Sequence, residues 1–213
     1  MGVLMRLLLR SGFMLFAVWL LAGCAGIAPL DEREKNNVWN QNKLRLAQLD
    51  AWSFRGRLAV SDGRESSSVF MRWQQQPDAY VIHLMTFLGQ QLARLEGNSN
   101  NVTLYRKDHP PMQASSVAAL MAEQVGWTVP VDGLRYWIKG LSDSRSGFSS
   151  ELDTQGRLAI LRQSGWTVKF ERYREIDGLP VPAKMRLERD DLNIRLVMDR
   201  WEFASKSGSE EYE

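Results

Sequence analysis

Trp52-Ser53-Phe54-Arg55-Gly56-Arg57-Leu58-Ala59-Val60-Ser61 is the stretch that decides the fold. Trp52, Phe54, Gly56, Leu58 and Val60 alternate with Ser53, Arg55, Arg57, Ala59 and Ser61. A period of two sends successive side chains to opposite sides of an extended chain, so these residues predict a strand with one apolar face. The same pattern recurs in both directions. Asp62-Gly63 marks a turn, and Val69, Met71 and Trp73 resume the alternation. Gln76-Pro77-Asp78 turns the chain again before strands over 80–85, 92–96 and 102–106. Further strands are expected at about 147–153, 157–163 and 166–174, then around Ala183, Met185 and Leu187. The clearest one sets Leu192, Ile194, Leu196 and Met198 against Asn193, Arg195, Val197 and Asp199.

Turn signals at this spacing predict an antiparallel meander of about ten or eleven strands. The fold class is mainly β with helices (α+β). A helix is expected at about 37–49. Ser115 or Ser116 can cap a second, through Val117, Leu120, Met121 and Val125. Asp132 can cap a shorter third, through Leu134, Tyr136, Trp137 and Ile138, which Gly140 would end. A curved sheet must cover its apolar face, and these helices are the natural plug or lid. Where packing is incomplete, the interior becomes an apolar cavity.

The N-terminus carries an address. Arg6 and Arg10 precede an almost wholly apolar run from Ser11 to Leu21, then Ala22-Gly23-Cys24. That is the layout of a secretory signal, and the apolar run is short beside the about 20 residues of a spanning helix. Leu21-Ala22-Gly23-Cys24 resembles the lipobox of bacterial lipoproteins, and Cys24 is the sole cysteine. The expected organisation is a lipoprotein signal peptide at 1–23, a lipidated Cys24 with a polar tether to 36, one domain at 37–203 and a polar tail at 204–213. No other cofactor than the covalent lipid is expected. Acylation by several chains would make attachment persistent, since one chain anchors only marginally. Ala25 and Gly26 leave no aspartate in the sorting position, which in such lipoproteins implies the outer membrane and its periplasmic face.

Charge is balanced. Of 27 basic side chains Arg6 and Arg10 leave with the signal, so 25 remain against 25 acidic ones. Bulk charge therefore supports neither nucleic-acid binding nor a polybasic membrane patch. Eight tryptophans and nine methionines could fill a core or line an adaptable greasy cavity.

Catalytic signatures are missing. There is no G-x-S-x-G elbow, H-E-x-x-H or P-loop. His83 falls in a strand pattern and His109 precedes Pro110-Pro111. Asp190-Asp191 and Glu210-Glu211 fall at a turn and in the tail, with nothing to mark a working acid/base pair. No enzyme and no metal site are expected. One local feature is unusual. Thr86-Phe87-Leu88-Gly89-Gln90 joins two strands, and hairpin tips are ordinarily built from Gly, Asn, Asp or Ser. Phe87 and Leu88 could dip into a bilayer or a greasy partner, or fold back onto the core.

The chain resembles the LolB family of outer-membrane lipoprotein receptors over nearly all of its mature length. The resemblance is carried in order by Trp52 with Gly56-Arg57; Leu88-Gly89; Val129-Pro130-Val131 with Leu134, Trp137-Ile138 and Gly140; Gly165-Trp166 with Val168 and Tyr173; Leu179-Pro180 with Leu187; and Arg195-Leu196 with Trp201. It implies an open half-barrel covered by helices around an apolar cavity. It also implies a monomeric receptor, without ATP or nucleic acid, that takes lipoproteins from the periplasmic carrier LolA. Delivery would be into the inner leaflet of the outer membrane. The family's protruding tip leucine maps onto Leu88. Phe87 stands where a proline is often found, and Ser142 likewise replaces a usual proline. Trp73, Met185, Ile194 and Met198 are the cavity candidates. The competing expectation is a structural or envelope-assembly lipoprotein with a packed core and no cargo. A lipid hydrolase lacks its nucleophile.

Overall fold

The computed structural model describes residues 30–98, 100–120 and 131–203. The signal peptide, Cys24, the C-terminal tail, and Met121 and Val125 of the second expected helix lie outside the described residues.

One antiparallel sheet of eleven strands dominates. Its first half comprises β1 (Trp52–Ser61), β2 (Ser66–Gln75), β3 (Ala79–Met85), β4 (Gln91–Asn98), β5 (Val102–Arg106) and β6 (Met112–Ala114). Its second half comprises β7 (Phe148–Leu152), β8 (Leu158–Gln163), β9 (Trp166–Ile176), β10 (Leu179–Arg189) and β11 (Leu192–Phe203). The spatial order is β6-β5-β4-β3-β2-β1-β11-β10-β9-β8-β7. The chain thus starts at the centre, steps out to one edge, crosses to the other edge and steps back until β11 pairs with β1. The edges β6 and β7 do not pair, so the sheet is an open half-barrel and not a closed barrel.

Alternation sets the faces. In β11, Leu192, Ile194, Leu196, Met198 and Trp201 are buried. The change of parity after Met198 comes from a bulge, because Arg55 pairs with Arg200 whereas Gly56 pairs with Met198. In β10, Val181, Ala183, Met185 and Leu187 face the same core. Gly56 has a steric role: a Cβ there would lie 1.9 Å from the carbonyl oxygen of Val197. Only glycine permits β1 and β11 to approach so closely at the bulge.

The crossing from β6 to β7 covers the apolar face. Val117 and Leu120 of the helical residues 117–120 are buried in the core cluster, as are Leu134, Trp137, Ile138 and Leu141 in and after helix α2 (Val131–Trp137). Ser116 caps the first of these turns, its Oγ accepting from the Ala119 amide at 3.1 Å. The α2 helix is described from Val131 onward, so Asp132 lies inside it and not ahead of it. Its end is the expected one. The amides of Gly140 and Leu141 donate to the carbonyls of Trp137 and Tyr136, at 2.8 and 3.1 Å, the paired bonds of a Schellman stop.

Helix α1 (Glu32–Ala47) starts earlier than expected, taking up the last five residues of the stretch anticipated as tether. The reason is a capping box. Asp31 Oδ1 accepts from the Glu34 amide at 2.8 Å, and Glu34 Oε2 accepts from the Asp31 amide at 3.0 Å. Trp39 and Leu46, two turns apart, are its buried residues. They and Asn42 face Gly140, Leu158, Tyr173 and Pro180 across a small crevice.

Candidate functional site

Two features stand out: an apolar inner face and a hairpin tip that leaves it. The inner face is assembled by register. Trp73 lies opposite Phe54, Met198 opposite Gly56, Met185 opposite Leu196, and Ile194 opposite both Val60 and Leu187. Direct cross-strand partners share a face. The four cavity candidates therefore lie on one face, and all are buried in one cluster. Trp73 belongs to an aromatic group at one end of that face. Its ring centroid lies 5.6 Å from Trp52 and 6.3 Å from Phe54, and Trp201 lies 5.5 and 5.4 Å from the same two rings.

Most polar groups that reach this interior are matched, the buried Trp166 indole Nε1 excepted. The Trp73 indole donates to Gln75 Oε1 at 3.2 Å. Lys139, almost fully buried beyond α2, donates to the carbonyl of Leu49 at 3.0 Å. Burial pushes its ammonium down to about 8, with Arg135 acting the same way and Asp50 opposing. The Tyr173 hydroxyl donates to the Leu158 carbonyl at 2.8 Å, and burial pushes its phenol up. Among the described residues no three His, Cys, Asp or Glu side chains converge as a metal site. His83 lies on the outer face of β3 with Nδ1 3.2 Å from Gln91 Oε1, and His109 is exposed in a loop.

The tip is built to project. The Thr86 amide donates to the Gln90 carbonyl at 2.9 Å, and the Gly89 amide to the Thr86 carbonyl at 3.0 Å. The Gln90 amide also reaches Thr86 Oγ1 at 3.2 Å. Gly89 has φ +80°, while neither Phe87 nor Leu88 has positive φ. This is the three-residue hairpin loop in which a type I turn is followed by a left-handed glycine. Phe87 and Leu88 occupy the two corners and are 82% and 71% exposed. The alternative that the tip folds back onto the core is therefore not what the chain adopts. Sequence reading missed one neighbour. Phe70, itself exposed, and its cross-strand partner Met85 line an outer-face groove of about 310 Å³ together with Phe87, Arg55 and Asp199.

Solved structures share this open antiparallel fold. A LolA superfamily protein from Nitrosomonas europaea superposes with a TM-score of 0.51 at 6% identity, over 84% of this chain and 96% of its own. A DUF1329 family protein from Desulfovibrio piger gives 0.57 at 8% identity, over 83% and 94%. At such identities the likeness is one of fold. Sequence goes further. The family model described as outer membrane lipoprotein LolB matches residues 50–201. The outer-membrane lipoprotein LolB of Nitrosococcus oceani is 35% identical over 195 residues, 91% of this chain and 97% of its own length. That of Pseudomonas aeruginosa is 36% identical over 189 residues, 87% and 92%. The chain belongs to the LolB family. It is an outer-membrane lipoprotein with a role in lipoprotein localisation.

Proposed function

We propose that the protein accepts lipoproteins from the periplasmic carrier LolA and inserts them into the outer membrane, holding their acyl chains on its inner face. The observation that carries this reading is the exposure of Phe87 and Leu88 at the corners of a hydrogen-bonded hairpin. Water is a poor solvent for that pair. At about 25 cal/mol per Å2, burying both in a bilayer yields a few kcal/mol. Cys24, once lipidated, holds the domain beside the membrane and has no part in transfer itself. The tip perturbs the bilayer so that cargo leaves. Transfer needs no ATP: it runs downhill from carrier to receptor to membrane, each tenfold preference corresponding to about 1.4 kcal/mol.

Trp73, Met185, Ile194 and Met198 are already buried without cargo. Acyl chains reach them only when the cover formed by the helical residues 117–120 and α2 is displaced. The same burial favours the rival reading, a packed envelope-assembly lipoprotein without cargo, and binding separates the two.

The tip is tested with Leu88→Glu in carrier-to-membrane transfer. Stability should change by less than about 0.5 kcal/mol, because the side chain is 71% exposed. Cargo should pass from carrier to receptor, and insertion should fail. Normal insertion by this variant removes the tip from the mechanism.

A further inference from the structure

The register places an arginine row across the outer face. Arg200 pairs with Arg55, Arg55 with Arg72, Arg72 with His83, and His83 with Arg94. Five adjacent strands, β11-β1-β2-β3-β4, thus contribute one side chain each to a single line. At about 4.8 Å between strands the line is about 19 Å long. Like charges directly opposite each other destabilise a sheet. Among the described residues, none of Arg55, Arg72 and Arg200 makes a salt bridge. Arg94 is set against Glu96, Nε to Oε1 3.2 Å, and its guanidinium lies 4.3 Å from the centre of the Tyr105 ring.

The neighbouring rows give the line a direction. On the side toward the tip, two residues along, Phe70 pairs with Met85, and Arg57 beside them is 3.7 Å from Asp199. On the side away from the tip the row reads Glu202-Ser53-Gln74-Val81-Glu96, with a carboxylate at each end. Moving away from Phe87 and Leu88, the outer face is therefore apolar on β2 and β3, with the Arg57–Asp199 pair beside it, then basic, then acidic at its flanks. Successive rows are about 7 Å apart, and the headgroup zone of a bilayer is about 5–8 Å deep on each side.

We propose that this outer face docks on the anionic phospholipid surface of the membrane. The arginine row meets headgroup phosphates while Phe70, Met85, Phe87 and Leu88 enter the apolar layer below. The proposal rests on the tip being the membrane-facing end, and adds to it a charged collar that fixes how the half-barrel stands on the bilayer. Each arginine contributes a fixed positive charge at the headgroup level, where a basic side chain near an anionic surface is attracted whatever its shape. The acidic flanks stay in water. Balanced total charge conceals this arrangement, because only strand pairing brings residues 55, 72, 94 and 200 together.

The test uses the chain from residue 25 onward, which carries the whole core cluster, and vesicles without cargo. Binding is compared on phosphatidylcholine alone and on phosphatidylcholine with about a third phosphatidylglycerol. Arg55→Gln with Arg72→Gln should weaken binding to the anionic vesicles about twenty- to thirty-fold, roughly five-fold for each arginine. Binding to phosphatidylcholine alone should not change. Arg55→Lys with Arg72→Lys should stay close to wild type on both. Arg33→Gln with Lys43→Gln, an equal charge change on α1, should also bind as wild type does. The proposal is overturned if the glutamine pair binds anionic vesicles normally, if the α1 pair loses as much, or if the lysine pair fails as well. Loss of LolA-dependent transfer with vesicle binding intact would assign the row to an acidic protein partner instead. Failure of the tip reading is seen separately, as normal insertion by Leu88→Glu.

Discussion

The Trp137 indole donates a hydrogen bond of 2.8 Å to Oε1 of Gln163, joining the helix that covers the sheet to strand β8. The same oxygen accepts from the Asp143 amide at 2.9 Å, and Nε2 donates to the carbonyls of Asp143 and Ser146 at 2.7 and 3.0 Å. Gln163 is buried and uses both ends of its amide. Arg145 folds over the same loop, its Nη2 2.8 Å from Asp143 Oδ2, and this hydrogen bond holds the Asp143 carboxyl below its ordinary value.

Gln163→Leu removes the bonds to the Trp137 indole, the Asp143 amide and the Ser146 carbonyl, and leaves the Asp143 carbonyl only the Ser146 amide at 3.4 Å. The expected cost is about 2–4 kcal/mol of unfolding free energy, read by urea denaturation. A loss below about 1 kcal/mol would mean that water replaces the side chain.

Gly56→Ala tests the close approach of β1 and β11. The added Cβ falls 1.9 Å from the Val197 oxygen, a backbone atom that cannot rotate away. The expected destabilisation is about 3 kcal/mol or more, seen in the denaturation midpoint or as failure to fold. A variant of wild-type stability would contradict the register at the bulge.

Lys139 makes stability depend on alkaline pH. Its folded value of about 8 lies below the ordinary 10.5, and burial is the main cause. Below about 8 both states hold the proton, and the fold bears the full cost of a buried ammonium. Between the two values the folded state releases its proton first, so the unfolded state binds more protons and stability rises with pH. Compared with Lys139→Met, the wild type should gain on the order of 2 kcal/mol between about pH 7 and about pH 10. A constant difference would show that the ammonium remains solvated.

Much of this architecture was legible in sequence, for reasons visible in particular residues. The alternation from Leu192 to Met198 is reproduced in the burial of β11, because one face of an antiparallel sheet is wet and the other dry. The tip was legible because two large apolar residues sit where turn formers belong. The short edge strand β6 was not, since three residues after Pro110-Pro111 carry no period. The early start of α1 was encoded in Asp31 and Glu34, but its polar first turn reads equally as a tether. Gln163 and the arginine row left no local signal. The first depends on a residue 26 positions away, and the second on pairing between strands scattered from Arg55 to Arg200.

Acyl chains on the inner face are the centre of the account, and the buried aromatic group offers a direct reporter. Trp52, Trp73 and Trp201 crowd that face. A brominated fatty acid quenches tryptophan fluorescence only on contact, so the chain from residue 25 onward should show saturable quenching when titrated with it. Unbrominated fatty acid should reverse the quenching by competition. Quenching that is absent, or that rises without saturation and resists competition, would contradict an acyl-binding inner face and leave the packed, cargo-free reading in its place.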